Sequence, residues 1–393
     1  MHTESHQKFL DHFGKEPEVA VRAPGRINLI GEHVDYLDGL VMPVAINKYI
    51  EMAVAPNDTG EIRMYSELAA TPDVVIPIED LFRNRESAKW TNYISGVIAL
   101  MQQKGFDVKG FDAYICSTLP LGTGLSSSAA LTTATALCIE ALTTIKLEPI
   151  ERALLCQNVE HEFAGVPCGI MDQLAVGLSE QGKGLLIDCQ SLRVENVEIP
   201  EELDIVVCDS GVQHALADGE YKRRREQCEE AIKILETPSL RKTGMETLEA
   251  KKEELGDILH RRARHVISEI ERVREFASAL QYGNMGKLGR LMWDSHFSLR
   301  DDYEVSCKEL DQLVKIAYNF GSNRGLVGSR MTGGGFGGST VSLVKSDASQ
   351  YFISYMKNEY KAETGKDLSI FITKPSKGAG YCSLFPITNH TFA

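Results

Sequence analysis

Along this chain the spacing of apolar positions shifts from alternating to helical and back again. VAVR (19–22) alternates and reads as a strand entering the turn APGR (23–26). IEMAVAP (50–56) and VVIPI (74–78) read as further strands. From position 90 the period lengthens: Trp90, Tyr93, Ile94, Val97, Ile98 and Met101 share one helix face, and Gly105 offers a stop. FDAYICST (111–118) is again strand-like and leads into LPLGTGLSSSAALTTATAL (119–137). Helices are predicted over AALTTATALCIEAL (129–142) and LLCQNVEHEFAG (154–165). GLLIDCQ and VENVEIP read as a strand pair joined by SLR, and LDIVVCDSG (203–211) as a short buried strand. Beyond about 220 the pattern is helical, with Cys228, Ala231, Ile232 and Leu235 on one face and further segments over 246–295 and 307–320. STVSLV (339–344) and LSIFITKP (368–375) close the chain as strands. Strands early and helices in the middle predict an α+β fold without regular βαβ alternation.

Composition narrows the picture. At 393 residues, two domains are the natural expectation, divided here at 1–195 and 196–393. Apolar residues make up 43 % and charged residues 25 %, as in an ordinary globular protein, and no segment approaches a membrane span. The opening MHTESHQKFLDHFGKEPE is too polar for a signal peptide. Nine cysteines, an odd number with no CxxC pair, argue against a disulfide framework or a zinc site. Together these features predict a cytoplasmic protein. A monomer is expected, with an oligomer left open. The net charge of −13 disfavours nucleic-acid partners. It also means that any phosphate must be bound by local positive potential against a repulsive overall field.

Three stretches could hold phosphate. GLSEQGKG (177–184) nearly matches a Walker loop but has Gly184 where the magnesium-binding hydroxyl belongs, so it reads as a turn. Gly333, Gly335 and Gly338 form a GxGxxG pattern before a strand, which is the wrong context for a dinucleotide. In 119–130, Gly122 and Gly124 let backbone N–H groups face inward, and Ser126, Ser127 and Ser128 add hydroxyls at a helix start. A glycine turn with a serine N-cap explains the same residues. A cradle without lysine would need a metal ion and an arginine from elsewhere.

GRINLIGEHVDY (25–36) resembles the signature of the galactokinase family. PLGTGLSSSA (120–129), EHEFAGVPCGIMDQ (160–173), GEYKRRREQCEE (219–230) and GSRMTGGGFGGSTVSLV (328–344) are similar to further motifs of that family or its superfamily of galactose, homoserine, mevalonate and phosphomevalonate kinases. Leu37, where asparagine is usual, and Ser339, where cysteine is frequent, depart from the pattern.

The resemblance implies two lobes with the active site in the cleft. The first would share the fold of ribosomal protein S5 domain 2, and the second would be ferredoxin-like. It implies transfer from ATP, with magnesium, to the anomeric hydroxyl of galactose. Asp172 would be the carboxylate at the reacting hydroxyl and Arg26 its partner. Glu32, His33, Val34, Asp35, Gly169 and Tyr221 would surround the sugar, carboxylates being strong acceptors for hydroxyls. Gly122, Thr123, Gly124, Leu125, Ser126, Ser127 and Ser128 would hold the phosphates, and Ser128 with Glu160 the magnesium. Trp90 reads as core by its position on the apolar face, but the resemblance sets it, with Ser66, at the adenine. Another sugar kinase, for N-acetylgalactosamine, a uronic acid or arabinose, and a non-catalytic sugar sensor are the competing readings. The basic run Lys222–Arg225 reads as a partly solvated helix face paired with Glu229 and Glu230.

Overall fold

Strand β1 (Val19–Asn28) runs straight through APGR, the segment expected to turn, and absorbs the irregularity as a register shift between Pro24 and Arg26. Arg26 is thereby fixed on a buried strand. The computed structural model describes residues 4–82, 85–120, 124–143, 145–213 and 217–384.

The front half continues with β2 (Leu40–Val41), β3 (Pro43–Pro56), β4 (Glu61–Ser66), β5 (Asp73–Pro77) and β6 (Phe111–Ser117). Its helices are α1 (Glu4–Phe13), α2 (Trp90–Gln103), α3 (Ser127–Thr143), α4 (Pro149–Phe163) and α5 (Met171–Leu178), followed by β7 (Lys183–Asp188) and β8 (Arg193–Glu198). The polar opening segment thus holds a helix, which buries Phe9 against the sheet.

The back half has β9 (Leu203–Gln213), α6 (Ala217–Ile234), α7 (Met245–Ala250), α8 (Lys252–Gln281), α9 (Met285–Asp301) and α10 (Lys308–Phe320). It ends with β10 (Leu326–Thr332), β11 (Gly337–Lys345), α11 (Ser349–Thr364), β12 (Ser369–Thr373) and β13 (Gly380–Leu384).

A six-stranded sheet has the order β13–β1–β3–β6–β4–β5, parallel only between β4 and β6. A four-stranded antiparallel sheet has the order β10–β11–β9–β12, and β2–β7–β8 form a third, small sheet. Helix α3 packs on β1 and β3, so its N-terminus opens beside Arg26. Helix α9 lies on β10 and against α8. One apolar core continues from β1 through α3 to α8 and α9, and a smaller one sits between the four-stranded sheet and α10 and α11. Among the described residues no helix is long and apolar enough to cross a membrane, and all nine cysteines are free.

Candidate active site

A cavity of about 440 Å³ opens where the end of β1, the start of α3, α5 and the β10–β11 loop meet. Its floor is a two-toothed ion pair. Arg26 Nε donates to Asp172 Oδ1 and Nη2 to Asp172 Oδ2, each at 2.7 Å. Nη1 donates to the carbonyl of Gly124, also at 2.7 Å. Burial works against the charge on Arg26, but Asp172, Glu32 and Asp35 outweigh it and hold its pKa above the ordinary arginine value. Asp172 sits in the first turn of α5, where a carboxylate complements the helix dipole.

The glycine-serine loop wraps this pair. The Arg26 amide donates to the Leu125 carbonyl at 3.1 Å. Ser126, in a left-handed conformation (φ +58°), donates its hydroxyl to Asp172 rather than outward. Ser127 and Ser128 begin α3 and line the cavity, so the unpaired N–H groups of the first turn face it. Gly122 and Thr123 lie outside the described residues.

Ser128 hydrogen-bonds Glu160, which is buried and also accepts from Gln173 Nε2 at 2.8 Å. Burial, then Asp172, pushes the Glu160 carboxyl up to about 7. No cluster of three or more histidine, cysteine or acidic side chains forms a metal cage among the described residues. One hydroxyl and one carboxylate suit a hard cation that completes its shell with water and phosphate oxygens.

The segment expected at the sugar hydroxyls forms the opposite wall. Glu32 Oε1 accepts from the Gly333 amide (2.8 Å), the Thr332 hydroxyl (2.9 Å) and Arg330 Nη1 (3.4 Å). Asp35 packs so closely on Gly169 that any side chain at 169 would collide with its carboxylate. Burial, then the like charges of Asp172 and Glu32, raises Asp35 to about 7. His33 has its pKa lowered to about 3 by burial and is neutral. Its Nε2–H donates to the Gly334 carbonyl (3.0 Å), so Nδ1 accepts from the Tyr36 hydroxyl (2.9 Å). That order propagates: Tyr303 donates to Tyr36 (3.0 Å), and the Cys228 thiol donates to Tyr303 (3.3 Å). Both nitrogens of His33 are therefore spent inside the protein. Tyr221 lines the cavity beside it, with ring centroids 5.3 Å apart. Val34 turns into the core, where its carbonyl closes the turn to Leu37 and Gly39.

Ser66 and Trp90 lie outside the cavity wall. The Ser66 amide bonds the Pro72 carbonyl and the Trp90 indole bonds the Thr71 carbonyl, so both brace the loop after β4. The basic run divides. Lys222 reaches the cavity, Arg225 pairs with Glu229 at 3.0 Å, and buried Arg224 donates to the carbonyls of Tyr303 and Glu304.

Helix α8 carries residues that no motif suggested. Glu269, fully buried, accepts from the amides of Gly31 (2.9 Å) and Glu32 (3.3 Å), from Ser295 Oγ (2.7 Å) and from Arg272 Nε (2.6 Å). Burial opposes its charge, but Arg272, His265 and Arg330 hold it down at about 2. His265 Nε2 donates to the Glu32 carbonyl at 3.1 Å. Glu32 is thus gripped at its amide, its carbonyl and one carboxylate oxygen. A polar i, i+4 pair amid buried Ala263, Val266, Ile270 and Val273 was the available signal.

Known proteins share the sequence and the fold of this chain. Residues 7–56 match the galactokinase galactose-binding signature, 92–180 the GHMP kinases N terminal domain and 273–362 the GHMP kinases C terminal domain. The chain is 43 % identical to a galactokinase of Canis lupus familiaris over 96 % of this chain and 95 % of that protein. It is 44 % identical to one of Chloroflexus aurantiacus, over 96 % of each. The crystal structure of Lactococcus lactis galactokinase complexed with galactose superposes with a TM-score of 0.90 at 32 % identity, covering 95 % of this chain and 98 % of that one.

Proposed function

The chain belongs to the galactokinase family of the GHMP kinases and phosphorylates galactose with ATP, and on that premise we propose that Arg26 and Asp172 transfer the phosphoryl group directly, in line, to the anomeric hydroxyl. The observation that carries the assignment is the Arg26–Asp172 pair, set between the glycine-serine loop and the wall of Glu32 and Asp35.

Galactose presents its hydroxyls to Glu32, Asp35 and Tyr221. Glu32 accepts through Oε2, since Oε1 already has three donors. His33 shapes the wall without offering a nitrogen. Asp172 orients the anomeric hydroxyl and takes its proton as transfer proceeds, help typically worth about 10²–10⁴ in rate. Arg26 fixes the Asp172 carboxylate through two hydrogen bonds and stabilises charge on the transferring oxygens. The nucleotide's phosphates lie over the start of α3, on the amides and hydroxyls of Ser127 and Ser128. Ser128 and Glu160 would hold magnesium, which when bound neutralises phosphate charge. The adenine lies toward Ser66 and Trp90, and the product is galactose 1-phosphate.

A coupled assay of ADP release with galactose and magnesium-ATP tests the reading, run beside N-acetylgalactosamine, a uronic acid and arabinose. Galactose is expected to turn over fastest. Asp172→Asn should bind galactose normally and lose about 10²–10⁴ in kcat. An unchanged kcat, or loss of sugar binding alone, would remove Asp172 from the reacting centre.

A further inference from the structure

A second cavity, of about 480 Å³, lies between α9 and α10, away from the active site. It matches the catalytic cavity in size and falls within the range typical of small-molecule sites. Trp293 and Phe297 wall it from α9 and Tyr318 from α10, with Phe297 and Tyr318 more than a third exposed. Trp293 and Tyr318 meet edge to face, with centroids 5.4 Å apart.

Charge selects the occupant. Lys308 and Lys315 are exposed and line the cleft seven residues apart on one face of α10, about 10 Å along its axis. Neither is in an ion pair among the described residues. The two carboxylates of the cleft are already engaged. Asp311 faces His296 (3.4 Å) and Ser306 (2.6 Å), and Glu363 accepts from Gln312 (2.8 Å). Arg300 is held by Asp301 and lies over the Phe297 ring. On a chain of net charge −13, aromatic walls with two unpaired ammonium groups favour a planar aromatic anion.

The same helix reaches the sugar side by two routes. His296, fully buried, accepts the Met331 amide at Nδ1 (3.3 Å), and the next two residues, Thr332 and Gly333, hold Glu32 Oε1. Ser295 donates to Glu269, which holds the amides of Gly31 and Glu32. A shift of α9 therefore moves the supports of Glu32 from both sides.

We propose that the α9–α10 cleft is a second small-molecule site, for an aryl or heteroaryl sulfonate or phosphate, and that its occupancy alters galactose affinity through α9. The coupling rests on the sugar role assigned to Glu32, whereas binding in the cleft does not.

The probe is 8-anilinonaphthalene-1-sulfonate, with neutral N-phenyl-1-naphthylamine as control. Both are titrated into the full chain with galactose and a non-hydrolysable ATP analogue present, so that the catalytic cavity is filled. Energy transfer from Trp293, one of only two tryptophans, reports the cleft, and Trp293→Phe should abolish its share. Saturable sulfonate binding should weaken at least about tenfold in the Lys308→Glu, Lys315→Glu double variant, with the neutral probe unaffected. In the absence of nucleotide, the bound sulfonate should shift the galactose Kd, measured by calorimetry, by about fivefold or more, and galactose should change sulfonate affinity by the same factor. Equal binding of the neutral probe, indifference to the charge reversals, or no saturable binding would overturn the site. Binding with an unmoved galactose Kd would overturn the coupling while leaving Glu32's sugar role to the Asp172 and substrate-panel experiments. Dimerisation dispersed by Tyr318→Ala in sedimentation would give the cleft to a second copy and overturn the proposal.

Discussion

Asp35 shows how much one residue's surroundings decide. Its carboxyl titrates at about 7 instead of 3.8, because burial and the charges of Asp172 and Glu32 outweigh the opposing pull of Arg26. The folded chain therefore holds a proton there that the unfolded chain has released. Stability attributable to Asp35 must fall as pH rises from about 4 to about 7 and level off above that. Asp35→Asn removes the dependence. Thermal melts of the two proteins should diverge in the variant's favour across that window and run parallel above it. A constant gap would mean that Asp35 is already ionised at the acid end. Its neighbour Gly169 makes a separate prediction. A methyl group at 169 meets the Asp35 carboxylate, so Gly169→Ala should displace it and raise the galactose KM by roughly ten- to a hundredfold, with the ATP KM unchanged. Steady-state kinetics with each substrate varied in turn would check this. The acids, Arg26 and the serines were legible in the sequence because short motifs carry them. The inward turn of Val34 and the engaged nitrogens of His33 were not, since they depend on Tyr36, Tyr303 and Gly334, which no local pattern brings together.

Among the elements, α8 shows what periodicity conceals. Its apolar spacing predicted a helix, and a helix is present, but a buried glutamate on the apolar face reads from sequence as a flaw in amphipathicity. Only the packed structure shows Glu269 reaching two amides of the signature loop. The strand prediction failed differently. APGR has the composition of a turn, yet pairing with β3 keeps Pro24 and Arg26 in β1, because neighbours on the sheet override local preference. If α8 sets the posture of Glu32, Glu269→Gln should raise the galactose KM by about tenfold and leave the ATP KM near its original value. It should also destabilise the fold by about 1–3 kcal/mol, since the partly buried Arg272 loses its charged partner. Equal changes in both KM values would reduce Glu269 to a general core residue.

At the scale of the whole molecule, the last strand returns to the first. β13 pairs antiparallel with β1 at Val19–Arg22, a few residues before Arg26. The Tyr381 hydroxyl donates to the Leu137 carbonyl on α3 (3.1 Å) and accepts from Lys146 (2.9 Å). Strand β1 thus has a partner on each edge, and Arg26, which we place at the reacting centre, extends from a strand held on both sides. Without β13, the N–H and C=O groups along one side of β1 would face water and offer a template for pairing between chains. A chain ending at Ala379 should therefore melt lower and self-associate. A loss of about 2 kcal/mol corresponds to roughly 4–8 °C for a domain of 150–250 residues. Galactose affinity should survive in the soluble fraction, because the supports of Glu32 come from α8, α9 and the β10–β11 loop, whereas β13 pairs with β1 and packs on α3. Melting followed by circular dichroism, light scattering for association and galactose binding by calorimetry separate the two effects. An unshifted melt would mean that β13 only rests against β1. Loss of sugar affinity together with stability would mean that the two sheets cannot be uncoupled in this way.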